Sequence, residues 1–143
     1  MFIKQLSVFV ENRPGRLSSI TELLEKNNID IRALSIADTR DFGILRLIVN
    51  DPDKALNAFK AADYSVTLTN VIAVGIEDKP GGLHKAMDIL YKNNISVEYM
   101  YAFISKSKDT AYVILRVENN DKAVTAMEEN NIKVLTSKDI YEM

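Results

Sequence analysis

Two short segments of the sequence carry residue types suited to holding a small charged ligand. The first is 11–17, Glu-Asn-Arg-Pro-Gly-Arg-Leu, and the second is 77–83, Glu-Asp-Lys-Pro-Gly-Gly-Leu. Pro fixes φ near about −65° and Gly permits a positive φ, so each segment can turn sharply from a strand into a helix. The helix that follows begins with unpaired N–H groups and a positive dipole end, which accept a carboxylate or a phosphate. The segments therefore predict anion binding at two strand-to-helix turns.

Polar side chains near the first turn add the other half of an amino-acid site. The amide of Asn12 can both donate and accept hydrogen bonds. Asp30, at the start of the next strand, can pair with an ammonium group. A carboxylate binder beside an ammonium binder describes a site for a free amino acid. The alternative is that each Pro-Gly pair only makes a tight turn and that Asn12 satisfies the backbone, and the spacing is compatible with both.

The composition excludes several kinds of chemistry. The 143 residues include no Cys and one His, His84, which excludes disulfides, thiolate catalysis and multi-His metal sites. The sequence has no Gly-x-Ser-x-Gly elbow, Walker loop or Gly-x-Gly-x-x-Gly motif. We therefore expect no catalytic residues, no metal site and no cofactor, and a protein that is not an enzyme. A formal net charge of −2 argues against nucleic acid as a partner.

The hydropathy pattern is that of an ordinary globular protein, with 47% hydrophobic and 27% charged residues. No apolar stretch approaches the ~20 residues of a membrane-spanning helix. The N-terminal residues show no signal peptide. We expect a cytoplasmic protein with no membrane partner.

The sequence repeats itself, which sets the domain count. Pro-Gly-Arg-Leu at 14–17 recurs as Pro-Gly-Gly-Leu at 80–83, 66 residues later. Asn-Asn-Ile at 27–29 recurs at 93–95 with the same offset. Asp-Lys-Ala at 53–55 also recurs, now 68 residues later. Three matched blocks in one order indicate a duplication, so we expect two domains.

Within each copy, segments whose apolar residues recur at the period of a strand are followed by segments whose apolar residues recur at the period of a helix. The first copy predicts strands at 4–11, 29–37 and 43–50 and a short strand at 66–68, with a turn at Asp41-Phe42-Gly43 between the second and third strands. It also predicts a helix from Leu17 to about Asn27 and a helix that begins at Pro52 and has Ala55, Ala58, Phe59 and Ala62 on one stripe. The second predicts strands at 71–77, 95–105, 110–118 and 132–136 and helices at 82–93 and 121–130. The βαββαβ order predicts an α+β fold of two ferredoxin-like units, at 1–69 and 70–143, each an antiparallel sheet with both helices on one face.

The second strand of the second copy carries an aromatic face. Tyr99, Tyr101 and Phe103 alternate with Met100 and Ala102, which we assign to the helix side. Three aromatic rings in water would form a large exposed patch, so we predict that another sheet, from the twin unit or another subunit, covers them. The alternative is that they are β-forming residues on a partly wet face. In the matching third strands, Arg46 and Arg116 stand among apolar residues, where we expect salt bridges or an interface role.

The pair of βαββαβ copies, each with Asn/Asp-x-Pro-Gly-x-Leu after its first strand, resembles tandem ACT domains. Asn-Arg-Pro-Gly at 12–15 followed by Asn-Ile-Asp-Ile at 28–31 is similar to the regulatory segment of phosphoglycerate dehydrogenases. The resemblance implies a non-catalytic module that binds a free amino acid, or a similar small carboxylate, at an interface between domains and signals to a partner enzyme of amino-acid metabolism. Serine-binding members carry a His and a second Asn where this chain has Val10 and Asp30, which argues against serine as the ligand.

The candidate binding residues lie at the two turns and at the starts of the two second strands. In the first copy they are Asn12, Arg13, Gly15, Arg16, Leu17, Asp30 and Ile31. In the second copy they are Asp78, Gly81, Gly82, Leu83, His84, Ser96 and Val97. His84 is either a solvated surface side chain or a ligand contact. Because the two turns differ in sequence, one can bind while the other is only structural.

We expect a homodimer, because uncovered sheet faces and strand edges invite pairing. Two other functions stay open. One is a structural adaptor of the same fold with no ligand, and the other, with less support, is a small hydrolase.

Overall fold

A computed structural model of the chain describes residues 2–38, 41–104 and 108–143. The chain divides into two compact units. The first unit comprises Lys4–Thr69 and Tyr141–Met143; the second comprises Asn70–Ile140 together with Phe2 and Ile3. Each unit is built from antiparallel strands and helices in βαββαβ order, which confirms the predicted α+β class.

The observed elements follow the predicted order with changed bounds. In chain order they are β1 (Ile3–Glu11), α1 (Arg16–Lys26), β2 (Ile31–Asp38), β3 (Phe42–Val49), α2 (Pro52–Ala61), β4 (Val66–Glu77), α3 (Gly82–Lys92), β5 (Val97–Ala102), β6 (Thr110–Val117), α4 (Asn120–Glu129), β7 (Lys133–Val134) and α5 (Ser137–Tyr141). β4 joins two strands that the sequence predicts separately, and the division between the units falls within it.

Four local predictions need correction. Phe42 and Gly43 belong to β3 and pair with β1, so they do not form the hairpin turn. Ala62 caps the end of α2 and is exposed, so it lies outside the buried stripe. The last predicted strand shortens to β7 because Thr136 and Asp139 hydrogen-bond each other's backbone N–H groups and start α5, a helix the sequence analysis missed. Of the strand predicted at 95–105, residues 97–102 form β5, and residue 105 lies outside the described residues.

The first unit places its core between the sheet and two helices. Its strands are ordered β2-β3-β1, and β1 and β3 are antiparallel neighbours. Val8 and Val10 of β1 pack with Ile20 of α1 and Phe59 of α2 in one buried cluster. The β1–β3 register sets Val10 opposite Gly43, so the end of β1 and the start of β3 lie side by side.

The second unit repeats this plan, with β6 between β5 and β4 and with β7 paired to β4. Met100 pairs with Leu115 and Ala102 pairs with Val113, and both partners belong to the core beneath α3 and α4. The register therefore confirms that Met100 and Ala102 are on the helix side.

The aromatic face of β5 is half-buried rather than fully exposed. The rings of Tyr99 and Tyr101 stack with their centroids 6.5 Å apart, and Phe103 meets Tyr112 edge-on at 6.0 Å. Coverage of this face by another sheet stays a prediction. On the same strand pair, Arg116 Nε lies 3.4 Å from Glu98 Oε2, so the salt bridge expected of Arg116 is present. No helix in the described ranges is long and apolar enough to cross a membrane.

Candidate ligand-binding site

The two Pro-Gly turns share one backbone conformation. Gly15 and Gly81 both have φ +88°, the left-handed region that glycine enters without strain. A Cβ on either glycine would meet nothing within 4 Å, so the requirement is conformational and not steric. The N–H of Asn12 donates to the carbonyl of Asp41 at 3.1 Å, and the N–H of Asp78 donates to that of Asp109 at 3.0 Å. The duplicated segments therefore fold alike as far as the glycine.

The helices that begin at these turns are left without side-chain caps. Among the described residues, no side chain accepts a hydrogen bond from the N-terminal N–H groups of α1 or α3. By contrast, Asp51 caps α2 by accepting from the N–H of Lys54, and Asn119 caps α4 by accepting from the N–H of Lys122, both at 3.1 Å. The N–H groups of the first helical turn have no intrahelical partner. Side chains therefore cap the N-termini of α2 and α4, whereas the N-termini of α1 and α3, where the sequence predicts anion binding, have no such cap.

A cleft of about 90 Å³ lies at the first of these open ends. We call it the turn cleft; its lining residues are Val10, Glu11, Asn12, Arg13, Arg16, Leu17, Ile36 and Gly43. Four of the predicted binding residues, Asn12, Arg13, Arg16 and Leu17, are therefore brought together, and Gly15 makes the turn that places them. Sequence reasoning missed Ile36 and Gly43. The alternation along β2 indicates the face of Ile36, whereas Gly43 reaches the cleft through the pairing of β3 with β1, which the sequence does not show.

The charged side chains of the turn cleft differ in their exposure and in their interaction partners. Arg13 Nε lies 3.1 Å from Glu11 Oε2, and both side chains are largely exposed. Arg16 is half-buried, and its guanidinium carbon lies 5.1 Å from the centroid of the Tyr64 ring. The Nε of Arg16 is buried and has no hydrogen-bond partner among the described residues. The side chain of Asn12 is exposed and available to a ligand.

Asp30 and Ile31 lie at the other end of the first unit. The N–H of Asp30 donates to Asn50 Oδ1 at 2.9 Å, and Asn50 directly follows β3. The opposite end of β3 pairs with β1 at the turn cleft. At about 3.4 Å per residue, the eight residues of β3 separate the two ends by about 24 Å. One unit therefore does not bring Asn12 and Asp30 together.

The carboxylate of Asp30 is largely exposed, but it forms an ion pair within its own unit. Its Oδ2 is ion-paired with Arg32. Arg32 Nη2 also donates to the carbonyl of Tyr141 at 3.2 Å. Ile31 is half-buried against the core of the unit, which fixes the start of β2 behind Asp30. The other carboxylate oxygen of Asp30, Oδ1, has no ion-pair partner among the described residues.

The turn of the second unit departs from the first one residue after the shared glycine. Gly82 stands where the first unit has Arg16, and it is buried. Its N–H donates to the carbonyl of Lys79 at 3.0 Å, whereas Arg16 makes the equivalent bond at 3.4 Å. Lys79 also lies 2.7 Å from Glu77, and this hydrogen-bonded pair lowers the pKa of Glu77 and raises the pKa of Lys79. The second turn is therefore more tightly closed.

The remaining predicted residues of the second unit are spread over two places. Leu83 packs against the core, while Asp78 and His84 are exposed. Gly81 and Gly82 border a depression of about 240 Å³ with Gly75, Ile76, Glu77, Lys79, Lys85, Asn131 and Ile132. Ser96 borders a separate open depression of about 470 Å³ with Asn94, Ile95, Glu118, Asn119 and Lys122. Val97 packs against the core. The described residues contain no group of three or more Asp, Glu or His side chains placed to hold a metal ion.

Comparison with known proteins identifies the family. The family model described as "ACT domain pair" matches residues 1–143. The chain belongs to the ACT domain family. The crystal structure of protein BT0572 from Bacteroides thetaiotaomicron is 41% identical, superposes with a TM-score of 0.94, and is matched over 100% of this chain and 98% of that one. A search of the curated proteins found no match.

More distant solved structures share the ACT fold. The regulatory subunit of aspartate kinase from Thermus thermophilus, in its ligand-free form, is 16% identical with a TM-score of 0.66, over 90% of this chain and 92% of that one. The corresponding subunit from Thermus flavus is 15% identical with a TM-score of 0.61, over 88% and 90%. Such likeness establishes the fold, and with the family match it confirms that the chain is a tandem pair of ACT domains.

Proposed function

We propose that this ACT pair is a non-catalytic regulatory module that binds a free amino acid, or a similar small carboxylate, at the turn cleft of the first unit. The observation that carries the proposal is the uncapped N-terminus of α1, which stands at a cleft lined by Asn12, Arg13 and Arg16. A carboxylate there accepts hydrogen bonds from the N–H groups of Leu17 and Ser18, which follow Arg16 in the first turn of α1, and from the amide of Asn12. Charge-assisted hydrogen bonds of this kind contribute about 1.5–3 kcal/mol.

The ammonium group of the ligand needs an acidic partner from another copy of the chain. Asp30 is too far from the turn cleft of its own unit, as β3 separates them. β2 is the edge strand of the first unit, and on its helix side Leu34 and Ile36 are 42% and 45% exposed. Antiparallel pairing of β2 with β2 of a second copy sets the start of one strand beside the end of the other. Asp30 of the second copy then lies near Ile36 and the turn cleft, and the site is complete only in a homodimer.

A ligand bound across two copies changes the arrangement of the two copies, and with it the surface that a partner contacts. The ligand favours whichever arrangement of the two copies completes its site, so occupancy shifts the population of that arrangement. The partner in this proposal is an enzyme of amino-acid metabolism. The fold that the chain shares with the regulatory subunits of aspartate kinase is in keeping with that role.

The test is a thermal-shift screen of the full chain against the twenty amino acids at millimolar concentration, followed by calorimetry of each hit. A ligand at about 100 times its dissociation constant adds about 2.7 kcal/mol to the free energy of unfolding. For a chain of this size we expect the midpoint to rise by roughly 5–15 °C. Asn12→Ala and Asp30→Ala should each abolish the shift. Asp78→Ala, at the equivalent position of the second turn, is the matched control and should leave it intact.

Two results would count against the proposal. If no amino acid stabilises the protein, the chain has no such site, and the adaptor function is favoured. If a hit survives Asn12→Ala but is lost with Asp78→Ala or Ser96→Ala, the site belongs to the second unit.

A further inference from the structure

Arg16 is the residue of the turn cleft whose interactions are incomplete. Its guanidinium lies over the ring of Tyr64, which supplies a cation–π contact but accepts no conventional hydrogen bond. Its Nε is buried and lacks a hydrogen-bond partner among the described residues. Buried polar groups in native structures are nearly always hydrogen-bonded, and the exceptions call for an explanation such as a bound ligand. Because the Nε itself is closed to solvent, an anionic group in the cleft would meet the exposed part of the Arg16 guanidinium.

The charges that line the turn cleft do not balance. Arg13 and Glu11 form an ion pair and offset each other. Arg16 remains as one positive charge with no carboxylate within ion-pairing distance among the described residues, and the positive end of the α1 dipole adds to it. On the facing strand of a second copy, Asp30 is already paired with Arg32. Within the turn cleft, a zwitterionic ligand with a neutral side chain leaves a net positive charge, whereas a ligand of net charge −1 balances it. Asp63 borders a neighbouring depression with Arg16 and Tyr64 and does not line the turn cleft.

The second unit provides an internal comparison. Gly82 stands in place of Arg16, and Ile132 stands in the segment that in the first unit holds Tyr64. The second turn therefore keeps the Pro-Gly conformation and the uncapped helix but lacks the guanidinium and the aromatic ring beneath it. The Arg16–Tyr64 pair is thus a feature added to the first turn, and it is not needed to make the turn itself.

We propose that Arg16 determines the specificity of the turn cleft and selects an amino acid with an acidic side chain. The inference rests on the proposed function, because it assumes that the cleft binds an amino acid. The α-carboxylate occupies the N-terminus of α1 beside Asn12, and the side-chain carboxylate accepts from the guanidinium of Arg16. Val10, Leu17 and Ile36 enclose the short aliphatic part of the ligand.

The experiment compares ligands that differ only in charge. Calorimetry at neutral pH measures the binding of aspartate, glutamate, asparagine and glutamine to the wild-type chain and to three variants. Arg16→Met keeps the apolar stem over Tyr64 but removes the charge. Arg16→Lys keeps a charge without the Nε donor. Lys26→Met is the matched control, because it removes a cation from the last turn of the same helix, where Lys26 is paired with Glu22 at 2.7 Å.

We expect the wild-type protein to bind one acidic amino acid at least about tenfold more tightly than its amide, which corresponds to the loss of one charge-assisted hydrogen bond. Arg16→Met should remove that preference, Arg16→Lys should retain part of it, and Lys26→Met should leave it unchanged. The ratio between acid and amide reports on ligand recognition even if Arg16→Met lowers the stability of the fold.

Each contrary outcome has a separate meaning. Tighter binding of a neutral amino acid, lost with Asn12→Ala, overturns the acidic preference and leaves the proposed function standing. An acidic preference that persists in Arg16→Met overturns the role of Arg16. Failure of every amino acid to bind removes the proposed function and this inference together.

Discussion

A Cβ atom on Gly82 would lie 2.0 Å from the carbonyl oxygen of Glu77, closer than real Cβ atoms approach a backbone oxygen. The second turn is folded so tightly that its third residue must be glycine. The first turn has Arg16 at the same place, so its backbone leaves room for a side chain. Two segments that share a Pro-Gly pair and a glycine φ of +88° therefore differ in the space they leave at the start of the helix.

Gly82→Ala is expected to lower the free energy of unfolding by about 1–3 kcal/mol, because the new methyl group forces the turn apart. Urea denaturation measures the change. Gly43→Ala is the control, since its nearest neighbour would be Ile36 Cγ2 at 3.6 Å, an ordinary contact, and it should change stability far less. Equal stability of the two variants would mean that the second turn opens without strain.

Asp51→Ala is expected to lower the free energy of unfolding by about 0.5–2 kcal/mol, because the side chain caps α2 through the N–H of Lys54. Asp51→Asn keeps a side-chain oxygen at the same place and should lose much less. The comparison is made by urea denaturation of both variants. A loss in Asp51→Asn as large as in Asp51→Ala would show that charge, and not the hydrogen bond, stabilises this helix end.

The carboxyl of Asp139 is expected to titrate below its ordinary value of 3.8, because hydrogen bonds from Thr136 favour the ionised form and lower its pKa. A depressed pKa in the folded state stabilises the fold above the unfolded value, and this contribution is lost as the pH falls through the folded pKa. Carbon-detected NMR of the side-chain carboxyl measures the midpoint. Thr136→Ala removes the hydroxyl but not the N–H, so the midpoint should rise part of the way; an unchanged midpoint would contradict the assignment.

The hydroxyl of Tyr141 is expected to ionise above its ordinary value of 10.0, because burial raises its pKa more than the neighbouring Lys4 lowers it. The contribution of the neutral phenol to stability is fully present below the unfolded pKa and is lost as the pH rises through the folded pKa. The difference in ultraviolet absorbance between the wild-type protein and Tyr141→Phe isolates this titration. A midpoint at or below 10.0 would show that the C-terminal residues are solvated.

Leu34→Lys is expected to convert a homodimer into a monomer and to weaken amino-acid binding, because it places a charge on the exposed face of the edge strand β2. Sedimentation velocity and calorimetry measure the two effects. Met100→Lys is the matched control, since Met100 is equally exposed at 42% on the corresponding strand of the second unit. If Met100→Lys dissociates the dimer and Leu34→Lys does not, the copies meet through the other edge.

The sequence was sufficient for the features that depend on periodicity and on single residues. The alternation of Leu6, Val8 and Val10 predicts β1 because side chains of a strand alternate between its faces. Pro52 and the Pro-Gly pairs mark helix starts because of their restricted or permissive φ angles. These are local effects, and the duplicated pattern made the strand alternation and the Pro-Gly pairs visible twice.

The features that the sequence did not predict depend on contacts between distant residues. The stacking of Arg16 on Tyr64 joins positions far apart in the chain, and neither residue is unusual in its own segment. The separation of Asn12 from Asp30 follows from the length of β3, and a linear motif does not measure it. Helix α5 depends on paired hydrogen bonds between Thr136 and Asp139 in a segment too short for a clear period.

The difference between Arg16 and Gly82 has a consequence for how such proteins evolve. In a homo-oligomer of single domains, one gene encodes every turn, so a substitution that removes an arginine removes it from all sites at once. Joining two domains in one chain releases that constraint, because each copy then mutates independently. One turn can retain the side chain that a ligand requires while the other exchanges it for glycine and a tighter backbone. The covalent link thus lets natural selection alter the number of sites per chain without altering the shared architecture.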